Sequence, residues 1–274
     1  KEKLESIWYN IYEYYKQQLE WEENLKEDFE GLKYTNLPKN IKQENINKLY
    51  GNTLNTSVSR LEQYRKCPFS YYLQYGLRLK PKEELKVQSF NTGSFMHETI
   101  DEFFKYVKEE KINLPELDEI QIQEIVSKII DENLNLSKNY IFTATAKYKI
   151  LVKRLKKIVS QALKYIIETL IYSDFNIEGT EIEFDKKGKY KPIILELEDG
   201  KRVEIKGKID RIDTATSDDG KYLRIIDYKS SSKNIDLNEV YAGLQIQLLT
   251  YMDAVCKEED LMPAGVFYFS LLEQ

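Results

Sequence analysis

A chain of 274 residues, 42% of them hydrophobic, has material for a substantial core, and its net charge of −5 excludes a surface that attracts polyanions everywhere. Contact with nucleic acid must therefore come from local basic patches. No stretch approaches the ~20 apolar residues of a membrane span and no secretory leader opens the chain. Its two cysteines, Cys67 and Cys256, make neither a disulfide framework nor a CxxC pair, which suits a reducing, cytoplasmic setting.

Residues 1–35 are helical by pattern and rich in aromatics and acids. Residues 36–55, with "NLPKN" and "YGNTLNTS", read as a loop-rich connector. The segment 57–84 opens on Ser/Thr/Asn cap candidates and predicts a helix broken near Pro68. In 92–111, Phe95, Ile100, Phe103, Phe104 and Val107 recur at helical spacing. Further helices are expected near 119–134 and over 144–172, the latter with a stripe of Ile150, Leu151, Leu155, Ile158, Val159, Ala162, Leu163, Ile166 and Leu170.

The texture then changes. "NIEGTEIEFD", "KPIILELEDGKRVEIKGKIDRIDTA" and "KYLRIIDYKSS" alternate apolar and polar residues, split by Asp199-Gly200 and Asp219-Gly220, and predict hairpin-connected strands. A helix over 237–258 and a strand in "PAGVFYFSLLE" follow. The order predicts an α/β fold with a central mixed sheet flanked by helices, and the apolar run reaching Gln274 reads as part of a longer protein.

The chemistry gathers at strand ends. Asp227 and Lys229 stand at i and i+2, on one face of a strand and ~6–7 Å apart along it. If the "TSDDG" hairpin pairs the two strands around it, Asp210 approaches Asp227. Two carboxylates so close resist joint ionisation, and a divalent cation relieves the conflict. All-oxygen ligation suits Mg²⁺ or Mn²⁺, with the Tyr228 backbone carbonyl as a further ligand. Lys229 beside such an ion would position water or stabilise charge on a phosphate. A D-x-K strand end is by itself more often a surface ion pair. Here Ile225 and Ile226 lead into Asp227, and Ile209 and Ile212 bracket Asp210, which sets both acids near a core.

"GSFMHETIDEFF", "GKIDRID", "IIDYKSS" and "GLQIQLLTY", in this order, resemble the RecB-type branch of the PD-(D/E)XK (restriction-endonuclease-like) nuclease superfamily. "SVSRLEQYRKCPFSYYLQYGLRLK" is similar to the entry into the nuclease domain of AddB-type subunits of bacterial helicase–nucleases. The resemblance covers about residues 50–272. It implies a nuclease domain over 50–274, with residues 1–49 as a helical tail of a preceding helicase-like region.

By that resemblance Asp210, Asp227, Lys229, Gln247 and Tyr251 are catalytic, with Gln245 a rival for the glutamine. His97, Asp210, Asp227 and the Tyr228 carbonyl hold the metal, and an imidazole ligand favours good Mn²⁺ activity. Taken alone, His97 reads as a capping or core histidine, and Gln247 and Tyr251 as a core-edge pair. Glu183 is a candidate additional metal contact, Glu98 and Asp101 are expected to be solvated, and Asp213 to pair with Arg211 or cap a turn. Cys67 implies a [4Fe–4S] cluster completed by three cysteines that follow the catalytic motifs in the family. None of those three is in this chain, so Cys67 is expected as a free thiol. Arg60, Arg65, Lys66, Lys153 and Arg154 are the candidate DNA contacts, against the plainer reading of a solvated helix face or buried tyrosines.

The resemblance therefore implies a metal-dependent DNA exonuclease domain that partners DNA and an AddA-type helicase–nuclease subunit in double-strand-break processing. The alternative is a nuclease-fold module without a cutting role. No Walker A motif is present, and no glycine-rich loop supports a small-molecule phosphohydrolase.

Overall fold

The computed structural model describes residues 6–32, 35, 37, 40–80, 89–136 and 142–272. The chain divides into two compact units, residues 1–46 and 47–274. In the first, α1 (Ser6–Lys16) and α2 (Glu22–Leu32) are joined by a 3₁₀ turn at Leu19–Trp21, so the expected helical stretch is two helices. Tyr12 meets Phe29 edge-on at 4.8 Å between ring centroids.

The stretch expected to be connector contains α3 (Gln43–Tyr50) and β1 (Thr53–Ser57). β1 was not legible because its partner strand lies about 150 residues away. Ser57 then caps α4 (Val58–Lys66), accepting from the Arg60 amide at 3.4 Å. Pro68 breaks the helix as expected and opens α5 (Pro68–Tyr71), which continues as a π-helical turn over Tyr72–Gly76. α6 (Ser89–Glu109), α7 (Glu119–Leu134) and α8 (Ala146–Ile171) follow. β2 (Asn176–Phe184), β3 (Ile193–Glu196), β4 (Arg202–Ser217) and β5 (Gly220–Lys229) come next. The helix expected over 237–258 is two pieces, α9 (Leu237–Tyr241) and α10 (Gln247–Glu259), separated where Gly243 takes φ +76°. β6 (Met262–Ser270) closes the order.

The 16-residue β4 is the spine of the sheet, ordered β1-β4-β5-β6. Its first part pairs with β1 in parallel and β3 antiparallel; its second part pairs antiparallel with β2 and β5. β6 adds to β5 in parallel. The "TSDDG" hairpin forms, with Ser217 opposite Gly220.

Consecutive residues Ile225 and Ile226 enter different cores, as strand alternation requires. Ile226 and Tyr228 pack under α6, α7 and α8 with Phe95, Ile100, Phe103 and the α8 stripe Leu155, Val159, Leu163 and Ile166. Ile150, expected in that stripe, is 69% exposed. On the other face, Leu223 and Ile225 pack with Val203, Ile205, Ile209 and Ile212 under α4 and α10. Each such fully buried branched side chain stabilises the fold by ~1.5–3 kcal/mol.

β4 is not a regular strand. Val203, Ile205 and Ile209 keep an even spacing within the α4–α10 core, but the next member is Ile212, three residues on. The alternation therefore slips at Asp210–Arg211. The ladders put Glu181 of β2 opposite this point, and Glu181 itself takes φ +50°, an uncommon conformation for any residue that carries a Cβ. The sheet is irregular where its acids gather.

Candidate active site

The ladder between β4 and β5 ends at Arg211 opposite Ile226. Beyond it the strands fork, and the Tyr228 amide donates not to a backbone carbonyl but to Asp210 Oδ2 at 2.7 Å. The same oxygen lies 3.4 Å from Nδ1 of His97, which projects from α6 with its ring edge against Tyr228. A ligand atom of His97, one of Asp210 and one of Glu181 all fall within 4.8 Å of one another. Among the described residues no other group of three or more His, Cys, Asp or Glu side chains comes this close.

Glu183, a candidate for an extra metal contact against the plainer reading of a surface charge, is exposed, whereas Glu181 joins the group and forms an ion pair with Lys208. The slip in the strand decides between two acids that an "EIEFD" pattern alone does not separate. Asp101, expected in solvent, is corrected. It is buried, accepting from Thr180 Oγ1 and pairing with Lys105 Nζ at 2.6 Å.

Asp227, one strand over, is 5% exposed and forms an ion pair with Lys229 Nζ through Oδ2, without a well-directed hydrogen bond to that oxygen. It stands outside the 4.8 Å group but within its field. Burial first, and then the charge of Asp210, push the Asp227 carboxyl up against the opposing pull of Lys229. Burial and Asp210 likewise push up Glu181, with Lys208 opposing. Burial alone would push the His97 imidazole down. Its hydrogen bond with Asp210, and the charges of Asp210, Glu181 and Asp227, carry it above its ordinary value.

Three acids and an imidazole thus share a small space with two lysines at its edge. Their donor atoms are oxygen and imidazole nitrogen, a set that fits a hard or borderline divalent cation. Of the four expected metal ligands, the structure brings His97 and Asp210 together, sets Tyr228 at the fork, and pairs Asp227 with Lys229.

Tyr228 is fixed from beneath. Its hydroxyl takes a hydrogen bond from Arg211 Nη1 at 3.4 Å, and burial pushes its phenol up to about 12 against the pull of Arg211. Arg211 donates to both oxygens of Asp213, at 2.9 and 2.8 Å, and Arg224 Nε adds a bond at 2.7 Å. Asp213 is fully buried, the structural partner of Arg211 that the sequence suggested.

On the other side, α10 carries Gln247 and Tyr251 on one face. Tyr251 is 4% exposed and stacks on Phe184 with ring centroids 5.3 Å apart. Burial pushes its phenol up to about 12, against the pull of the Gln247 side chain and the Lys208 backbone. A Cβ on Gly207 would lie 2.0 Å from the Tyr251 hydroxyl, so the glycine is what lets the helix approach. Gln245, the rival glutamine, is held elsewhere by Glu239 and the Asp236 amide.

The expected DNA contacts divide between the two faces of the sheet. Arg60, Arg65 and Lys66 are on α4; Lys153 and Arg154 are exposed on α8, in the opposite layer. Arg60 stacks over Tyr75 at 4.7 Å, whereas Arg65 Nε is engaged with the Ala242 carbonyl at 3.1 Å. Cys67 is a free thiol at the α4–α5 junction, where Sγ accepts from the Ser70 amide at 3.5 Å. Cys256 is also free and sits in α10 beside Met252.

Residues 55–274 match the family described as the PD-(D/E)XK nuclease superfamily. The chain is 39% identical over 99% of its length to a Clostridium novyi (strain NT) protein named as a subunit of an ATP-dependent helicase/deoxyribonuclease. It is 35% identical over 98% of its length to the protein of the same name from Clostridium tetani (strain Massachusetts / E88). The corresponding figures for Ruminiclostridium cellulolyticum are 38% and 97%. It spans 24% of the length of each of these relatives. A mixed sheet flanked by helices, a fork carrying Asp210 and Asp227-Tyr228-Lys229, and a family match across that whole region agree: the chain belongs to the PD-(D/E)XK nuclease superfamily.

Proposed function

We propose that residues 50–274 are a metal-dependent DNA exonuclease domain in a helicase–nuclease that processes double-strand breaks, hydrolysing phosphodiester bonds of one strand. One observation carries the reading: His97, Asp210 and Glu181 converge within 4.8 Å beside the Asp227–Lys229 pair. A divalent cation held there, Mg²⁺ or Mn²⁺, would neutralise phosphate charge and acidify a water molecule. The Tyr228 amide keeps the Asp210 carboxylate in place, and the Tyr228 carbonyl would be the backbone ligand of a bound cation. Lys229 sets a positive charge beside the scissile phosphate and orients the attacking water. The water oxygen bonds to phosphorus as the bond from phosphorus to a deoxyribose oxygen breaks. Tyr251 is too buried to touch DNA and serves by seating α10, which carries Gln247, against β4 at Gly207.

In this reading residues 1–49 end a preceding helicase-like region, and the partners are DNA and an AddA-type subunit. Cys67 supplies one thiolate to a [4Fe–4S] cluster in the full-length protein, whose other ligands are not among the described residues. None of the described helices is long and apolar enough to cross a membrane. The setting proposed for this work on DNA is the cytoplasm. The names of the relatives support the assembly, and Arg60, Lys66, Lys153 and Arg154 offer contacts for the phosphate backbone.

The test is cleavage of end-labelled single-stranded DNA with Mg²⁺ or Mn²⁺, comparing wild type with Asp227→Ala and Lys229→Ala, each checked for folding by circular dichroism. Cutting that requires metal and disappears in both folded variants is the expected result. Cutting that survives in both overturns the site. A folded wild type that binds DNA and never cuts it, even in the full complex, establishes the silent module instead.

A further inference from the structure

We propose that Glu62 of α4 is a positioning residue of the nuclease site, setting α10, and through it Gln247 and Tyr251, against the catalytic fork. The inference rests on the reading of that fork as a nuclease centre. A helix leaves its first amides without intrahelical acceptors, and a Ser, Thr, Asp or Asn at the N-cap usually serves them. α10 has Ile246 at that position, which offers no side-chain acceptor. The acceptor comes from far away in sequence: Glu62 Oε1 takes the amide of Ile246 at 2.8 Å and that of Gln247 at 3.0 Å. A carboxylate there also complements the positive end of the helix dipole.

A second tie runs beside the first. Arg65, one turn further along α4, donates Nε to the Ala242 carbonyl and packs on Gly243, where an added Cβ would lie 3.3 Å from its side chain. Two residues of one helix therefore grip both ends of the α9–α10 corner, residues 242–247. α4 is a fixed support for this grip, capped by Ser57 and anchored by the wholly buried Val58. From the gripped end, α10 carries Tyr251, whose hydroxyl lies against Gly207, three residues before Asp210 on β4. A shift at the start of α10 thus reaches the acids without any change in the acids themselves. Arg65 belongs to this structural grip more than to a DNA surface.

The experiment uses the full-length protein in complex with its partner subunit and compares wild type, Glu62→Ala, Glu62→Gln and Asp227→Ala. Activity of this site is what Asp227→Ala removes. Glu62→Ala is expected to lower kcat on end-labelled single-stranded DNA on the order of tenfold or more, with KM within about twofold, because misplacement acts on the reacting geometry. Glu62→Gln keeps an oxygen that accepts both amides and restores most of kcat. Hydrogen exchange should show protection of amides 246–250 falling about tenfold in Glu62→Ala and not in Glu62→Gln, with the melting temperature nearly unchanged. Wild-type kcat with unchanged protection in Glu62→Ala overturns the proposal and leaves the nuclease reading intact. If Asp227→Ala removes no cutting, the nuclease reading fails, and the exchange data alone decide whether Glu62 holds α10.

Discussion

Asp210 and Asp213 sit three residues apart on one strand and have opposite fates. Asp213 is fully buried and receives three hydrogen bonds from two arginines, so its charge is more than matched inside the fold. Asp210 lies among Glu181 and Asp227, and the cations near these three acids are Lys208, Lys229 and a histidine. An acid whose charge is answered by the protein is architecture. Where burial and the charge of Asp210 raise the proton affinity of Glu181 and Asp227, the group has the chemistry of a cation site.

The largest effect should come from breaking the architectural side. Asp213→Ala strands the buried guanidinium of Arg211 and the half-buried one of Arg224 and should cost about 3–5 kcal/mol in denaturant unfolding, enough to abolish folding in a marginal background. Next, Lys229→Ala at the open side should cut metal-dependent cleavage on the order of 10²–10³-fold while lowering the denaturant midpoint far less than Asp213→Ala does. Third, saturating Mn²⁺ should stabilise the wild type by about 2.7 kcal/mol at a hundred times its dissociation constant. Asp210→Asn should lose most of that gain, as read by thermal melting. An equal gain in Asp213→Asn and none in Asp210→Asn would sharpen the contrast; equal gains in both would break it. The smallest effect is that of Glu181→Gln, expected to raise the Mn²⁺ concentration for half-maximal activity about tenfold with little change at saturation.

The contrast also marks what the sequence discloses. The helical stripes of α6 and α8 and the alternation of β5 follow from local periodicity and appear where expected. Asp227 and Lys229 were legible because their spacing of two sets both on one face. Glu181 was not, because three glutamates stand in "NIEGTEIEF" and only a local break in side-chain alternation, with Glu181 at φ +50°, selects one. β1 was hidden because a five-residue parallel strand is defined by a partner far along the chain. The break between α9 and α10 was signalled by Gly243 alone, within an otherwise continuous helical pattern. Glu62 drew no notice in the sequence, since nothing local shows that it serves amides 184 residues away. Spacing reveals faces; it does not reveal which distant element meets them.

The bond from the Tyr228 amide to Asp210 has an evolutionary consequence. It makes Asp210 a stand-in for a missing rung of the sheet, so the aspartate is held in place by folding as well as by chemistry. Asp227 and Lys229 answer chiefly to each other, and a buried pair of that kind can be replaced together by apolar residues at little cost. In members of this fold that have no cutting role, drift should erase Asp227 and Lys229 first and leave Asp210 standing. A surviving aspartate at the 210 position is thus a record of the fold, and the D-x-K pair is the record of the trade.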